Sequence, residues 1–247
     1  MVIVQHFPGS VKQYAEAIPF PGRSFPIPDT CPHPECQATG CLIRWGTYER
    51  WARTEDVAYA PAFGARGILI QRLRCNVCGR THSLLPDFLH PYRHYVIRLL
   101  QSVASLYLIT GLGVGRRLMS HLPCPGPVRS TVREWVASFA YGAGELLLDL
   151  LSRQLLNLDP LAKLPDAPPP RHLDRVRDPV KRRRLHRAHR FWLLAEHLYA
   201  LVRVKRPRLH FTADQLLPFM LHWLQNQAVP PRIFWSPALS TTPTNPF

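Results

Sequence analysis

The spacing of apolar residues changes character along this chain, and each change marks an element. Residues 1–30 hold no sustained period and are broken by Pro8, Pro19, Pro21, Pro26 and Pro28, so they read as a loose arm with a short helix near Val11–Ile18. From Leu42 to Trp51 aromatic and β-branched residues alternate with charged ones, with Gly46 suited to a bend. From Ile68 to Arg74 the alternation is strict: Ile68, Ile70, Arg72 and Arg74 fall on one face and Leu69, Gln71 and Leu73 on the other. Period two predicts a pair of strands.

Past Pro91 the period becomes helical. Val96, Leu99, Leu100, Val103 and Tyr107 recur at three and four residues as far as Gly111, and Val114, Leu118 and Leu122 form a second, shorter stripe. Pro123, Pro125, Gly126 and Pro127 interrupt the chain. A third helix starts near Val128 with Val132, Trp135, Val136 and Phe139 as its buried stripe, and Gly142 and Gly144 bend it before the Leu-rich run Leu146–Leu158. Asp159–Pro170 reads as a linker, Lys181–Arg190 as a basic run leading into an apolar helix Phe191–Val204, and Thr212 with Gln215 as a capping box opening a last helix toward Gln227. The Pro- and Thr-rich end from Pro230 has the composition of a disordered tail.

Cysteine spacing adds chemistry to this pattern. Cys75 and Cys78 form a Cys-x-x-Cys knuckle, and Cys31, Cys36 and Cys41 lie upstream, across the two strands. A tetrahedral zinc site takes four N or S ligands, supplied in ribbons as two separated pairs. Cys31 with Cys36 and Cys36 with Cys41 are both sterically feasible first pairs, and His33 is a further donor. Cys31 and Cys36 are preferred because a ligand at Cys41 would pull the following strand into the site. The expected set is therefore Cys31, Cys36, Cys75 and Cys78 around one structural Zn²⁺, with a redox iron centre as the chemical alternative and Cys124 as a bystander. Four thiolates leave no open position for catalysis.

Composition then selects a partner. Lys and Arg number 31 against 16 Asp and Glu, a formal net charge of +15, with an isoelectric point near 10.3. Such a field draws polyanions, nucleic acid first. No stretch is apolar enough for a membrane span and no secretory leader is evident, so a cytoplasmic protein without a membrane partner is expected.

The stretches Cys36-Gln37-Ala38-Thr39-Gly40-Cys41-Leu42-Ile43-Arg44-Trp45-Gly46 and Leu73-Arg74-Cys75-Asn76-Val77-Cys78-Gly79-Arg80-Thr81 resemble the N-terminal zinc ribbon of insertion-element transposase proteins. The continuation from Ser83 through Tyr95 is similar to short bacterial transposon-associated zinc-ribbon proteins. The resemblance covers roughly residues 31–140 and implies a zinc ribbon followed by a helix-turn-helix. The first knuckle is longer than the usual Cys-x-x-Cys, and the turn Pro123–Pro127 is longer and richer in Pro than that family's pattern.

In a helix-turn-helix the second helix enters the major groove. Here that is the helix from Val128, whose Arg129, Ser130 and Arg133 face outward and can reach base edges, while Arg116 and Arg117 on the preceding helix suit phosphates. Lys181, Arg182, Arg183, Arg184, Arg187 and Arg190 form a second basic patch, from which Arg183 and Arg184 are assigned to phosphates, with a solvated helix face as the equal alternative. No carboxylate triad on a sheet, phosphate loop or nucleophile elbow is visible, so the protein is not expected to be an enzyme. The fold class expected is α+β, mostly α. A loose arm (1–30) precedes a small antiparallel zinc ribbon (31–90) and a helical, helix-turn-helix-like domain (91–158). A linker (159–178), basic and apolar C-terminal helices (179–228) and a disordered tail (229–247) follow. The expected function is a non-catalytic, zinc-dependent protein that binds double-stranded DNA as a transposon-derived or transposon-associated accessory, acting with a separate recombinase or as a homodimer. The alternatives are a degenerate transposase fragment and a zinc-ribbon module that binds protein rather than DNA.

Overall fold

The computed structural model describes residues 2–7, 11–16, 26–50, 68–91, 95–122, 127–205 and 215–226. The fold is α+β. It divides into two compact units, one formed by 1–97 with 221–229 and the other by 98–220 with 230–247.

The first unit is built on a four-stranded sheet of β1 (Val2–Gln5), β2 (Leu42–Arg50), β3 (Ile68–Cys75) and β4 (Thr81–Pro86), in the order β1-β4-β3-β2. Strands β2 and β3 pair antiparallel, from Leu42 opposite Cys75 to Arg50 opposite Ile68, with a bulge between Arg44 and Gly46. Strands β3 and β4 pair antiparallel as well, so within residues 31–90 the pairing is antiparallel as expected, and the sheet extends beyond that range. β1 runs parallel to β4, Val2 opposite Ser83 and Gln5 opposite Pro86, so the sheet is mixed. The beginning of the expected loose arm therefore belongs to the sheet. Its β-branched run Val2-Ile3-Val4 is a strand former that needs a neighbouring edge, and β4, a strand the alternation did not predict, provides one.

Helix α1 (Val11–Glu16) brings Tyr14 into the core of this unit, where Phe7, Tyr14 and Phe88 meet edge to face at centroid separations of 5.1, 5.3 and 6.1 Å. The Tyr14 hydroxyl donates to the Leu69 carbonyl at 3.2 Å, so its polar tip is satisfied. Asp87 ties the arm to the end of β4, accepting from the Phe7 amide at 3.1 Å and pairing with His6 at 2.7 Å. Around these sit Ile3, Ile70, Leu73, Leu84, Leu85 and Leu89.

The second unit is helical. It comprises most of α2 (Ile97–Leu108), then α3 (Arg116–Ser120), α4 (Arg129–Gly142), α5 (Glu145–Leu158), α6 (Arg171–Asp174), α7 (Pro179–Lys205) and the start of α8 (Leu216–Asn226). The expected bend at Gly142–Gly144 is a full break between α4 and α5, and the expected linker contains the single turn α6, which buries Leu173. The basic run and the apolar helix after it form one element, α7, of 27 residues. At its start Asp178 caps the amides of Val180 and Lys181 at 2.8 and 3.2 Å, and Pro179 follows as first residue. Along α7, Leu185, Ala188, Trp192, Ala195 and Tyr199 are buried at steps of three and four, so one stripe runs through basic and apolar halves alike. Phe139 of α4 meets Phe191 and Trp192 of α7 edge to face at 5.7 and 5.6 Å.

The turn residues 123–126 with Cys124, the β2–β3 connection after Arg50, and the expected C-terminal tail lie outside the described residues. Among the described residues no helix is long and apolar enough to cross a membrane.

Candidate metal centre and basic helical surface

Two backbone turns present the cysteines of the first unit. In the first, the amides of Cys36 and Gln37 both donate to the His33 carbonyl at 2.9 and 3.1 Å, and Cys31 N–H donates to the Ala38 carbonyl at 2.9 Å. The chain reverses there through Gln37 at φ 47° and Gly40 at φ 61°, conformations in the left-handed region. This closed turn accommodates the four-residue spacing that departs from the usual knuckle. In the second, Gly79 at φ 72° lets its amide return to the Cys75 carbonyl at 2.9 Å, directly after the end of β3.

The turns face one another. The sulfurs of Cys31, Cys36, Cys75 and Cys78 all lie within 4.8 Å of one another. Cys31 Sγ is 3.9 Å from Cys78 Sγ and Cys36 Sγ is 3.8 Å from Cys75 Sγ. A tetrahedron with zinc–sulfur bonds of about 2.3 Å has edges of about 3.8 Å, so these separations fit one four-thiolate ion. They are far beyond a disulfide bond of about 2.05 Å, and all these cysteines are free. The donor set admits a single metal ion; it does not distinguish zinc from iron.

Cys41 stays out of the tetrahedron although its sulfur is 3.3 Å from that of Cys75. Its thiol donates to the Ala38 carbonyl at 3.0 Å, and its own carbonyl accepts from the Asn76 amide at 2.9 Å, so it ties the two turns together. His33 supplies its carbonyl to the first turn, and its ring is not among the clustered donors.

Reasoning from spacing missed His82. It is 1% exposed on β4, and its Nε2 lies 3.5 Å from Cys31 Sγ. Burial lowers its pKa to about 4, so the ring is neutral and sets Nε2 against the sulfur. Such outer partners orient and tune a thiolate site. Only its place after the second knuckle in the sequence hinted at this role.

The thiols differ in acidity. The Cys78 amide, donating to Cys75 Sγ at 3.4 Å, leads the interactions that hold Cys75 down at about 6, whereas burial pushes Cys31 up to about 12. The Cys75 sulfur is thus ready as a thiolate at neutral pH, and Cys31 must release its proton as a metal is taken up.

In the helical unit the residues assigned to DNA separate into groups. Arg116, Arg117, Arg129, Ser130, Arg133, Arg183 and Arg184 are all exposed. Arg133 of α4 lines a cleft of about 560 Å³ together with Lys181 and Arg184 of α7, Asp178 and His172. Arg133 and part of the basic run of α7, expected from sequence to act separately, thus share one cleft. Arg184 also lies over the Tyr141 ring at 5.3 Å. Other cations are engaged in the fold. Arg129 donates to the Val114 carbonyl at 2.9 Å, and Arg187 donates to the Ala143 carbonyl at 2.8 Å and to Glu145 at 3.2 Å. Arg116, Arg117, Ser130 and Arg183 do not line the cleft.

A family model described as Domain of unknown function (DUF6431) matches residues 34–110. The match takes in β2, β3 and β4 with Cys36, Cys41, Cys75 and Cys78, and it begins after Cys31. No curated protein and no solved structure matches the chain.

Proposed function

We propose that this is a non-catalytic, zinc-dependent DNA-binding protein, a transposon-derived or transposon-associated accessory that holds double-stranded DNA on its helical unit. The observation that carries the DNA reading is the convergence of Arg133, Lys181 and Arg184 on one open cleft in a chain of formal net charge +15. Guanidinium and ammonium groups converging from two helices suit consecutive phosphates, and Arg133 at the mouth of α4 can also reach a base edge. Zinc is the metal proposed because a redox-inert ion on four thiolates suits a structural role, and a filled coordination sphere leaves no position for substrate. The transposon connection rests on the resemblance of the two knuckle stretches, with a separate recombinase or a second copy of the chain as the implied partner.

A salt titration of binding tests this reading, after selection of a preferred duplex from random sequence. Arg133→Ala should cost about 1–3 kcal/mol on the preferred duplex and relax specificity at one position. Replacing Arg183 and Arg184 with Ala should weaken preferred and random duplexes alike and reduce the salt slope by about one for each phosphate no longer neutralised. Equal weakening of both duplexes by Arg133→Ala would remove its role as reader. No change in any variant would return the charge to solvation. Elemental analysis should find about one zinc per chain.

A further inference from the structure

The sheet unit carries a surface that the DNA-binding helices do not explain. In the register of the sheet, Ile43 stands opposite Arg74, and Arg74 opposite Thr81; Gly46 stands opposite Arg72, and Arg72 opposite Ser83. Paired residues share a face, and alternation along β3 sets Arg72 and Arg74 on the face opposite Leu73 and Cys75. Farther from the metal-binding turns Ile68 and Ile70 are buried, so among the described residues this face is open at its metal end. There Trp45 sits in the bulge of β2 and is 53% exposed, beside Ile43 at 40%. The Arg74 guanidinium lies over the indole at 4.4 Å, and Arg72 is held by a 3.2 Å bond to Thr81. Arg80, also exposed, follows the second turn. Neither Arg74 nor Arg80 has a carboxylate partner among the described residues.

An exposed indole is costly to leave in water, and this one is steadied by the Arg74 cation lying over it on the sheet. Cations with no carboxylate partner among the described residues match a polyanion rather than an apolar helix of another protein. A duplex keeps its bases stacked on each other, so an indole on a strand surface gains little from it. An unpaired strand offers both a base to stack and phosphates to hold. We propose that the Trp45–Arg74 face is a binding site for single-stranded nucleic acid, with Trp45 stacking on an unpaired base and Arg72, Arg74 and Arg80 holding the flanking phosphates. The site lies within the sheet unit and is independent of the cleft lined by Arg133.

The experiment uses the full-length, zinc-loaded protein with a labelled oligothymidylate of about twenty nucleotides, which forms no base pairs, and a duplex of the same length, both followed by anisotropy. Wild type should bind the oligothymidylate, and Trp45→Ala should weaken that binding about tenfold while changing duplex binding less than about twofold. Trp45→Phe, which keeps a stacking ring, should recover most of the loss, and Arg74→Ala should lower both affinity and salt dependence. Zinc content and far-ultraviolet circular dichroism of each variant should match wild type, because the substituted side chains are on the surface. Oligothymidylate binding that is unaltered by Trp45→Ala overturns the proposal. Binding of the duplex alone overturns it too, and leaves the DNA reading of the helical unit standing. Oligothymidylate binding that depends on Trp45 in a protein that ignores duplex supports this site and removes that other reading. A dimer that Trp45→Ala dissociates, with no loss of nucleic acid binding, overturns the proposal by assigning the face to a second copy of the chain.

Discussion

The two units of this protein solve the same problem with different means. The sheet unit gathers Phe7, Tyr14, Phe88 and a modest set of aliphatic residues, and places four free thiols at one end of its strands. The helical unit contains no such cluster among its described residues and buries Trp135, Phe139, Phe191 and Trp192 along α4 and α7. A metal ion contributes folding free energy at one point and through a few bonds, whereas apolar burial is spread along whole helices. Each unit is therefore vulnerable in its own way: the first to loss of one ligand, the second to loss of volume anywhere along its stripe.

The largest effect should come from removing the metal from the sheet unit. Structural zinc in small modules is worth about 10–16 kcal/mol at neutral pH. Cys75→Ser, or a strong chelator, should abolish stoichiometric metal and the amide protection of β2, β3 and β4, while α4, α5 and α7 keep theirs. Hydrogen exchange read by mass spectrometry distinguishes the two sets of peptides. Cys41→Ser narrows the result, since a cysteine outside the tetrahedron should be replaceable with metal content unchanged. Loss of metal in that variant would make Cys41 a ligand.

Trp192→Ala attacks the other unit. Truncating this 1% exposed side chain should cost about 3–5 kcal/mol in urea unfolding of the helices, with metal content unaltered.

A smaller effect is expected from mild acid. His172 and His189 of the helical unit have pKa values lowered chiefly by burial, so both are neutral in the fold. An unfolded chain takes up these protons near pH 6.5, earlier than the folded one. Their contribution is therefore complete above that value and is lost as pH falls through the lowered folded values. The urea midpoint of the helical unit should fall between about pH 7.5 and about pH 5, and His189→Gln should flatten that fall. An unchanged slope in the variant would remove His189 as a cause. The smallest effect belongs to Asp178→Ala, which removes the cap of α7 and should cost about 1 kcal/mol with no change in metal content.

Local chemistry was legible in the sequence. Cysteine spacing and alternation singled out Cys31, Cys36, Cys75 and Cys78 as one set, because a knuckle is a short turn whose donors are fixed by near neighbours. The helical stripes of α2 and α4 were legible for the same reason: a period of 3.6 is written within a few turns. The single helix α7 was half legible, since its arginines drew attention from Leu185 and Ala188, which continue the buried stripe beneath them.

Other features depend on residues far apart in the chain, and packing alone settles them. The run Val2-Ile3-Val4 is β-branched, yet it reads as part of a loose arm until Ser83–Pro86 is brought beside it from across the sequence. Cys41 and Cys31 are equally plausible ligands by spacing. The fold separates them by tying the Cys41 thiol to Ala38 and bringing Cys31 between Cys78 and His82. Arg133 and Arg184 belong to different helices, and their shared cleft exists because Phe139 packs against Phe191 and Trp192. Periodicity and spacing record what a side chain does within its own turn or strand. Which turns meet, and which cations then face the same space, follows from packing among segments whose separation no local pattern encodes.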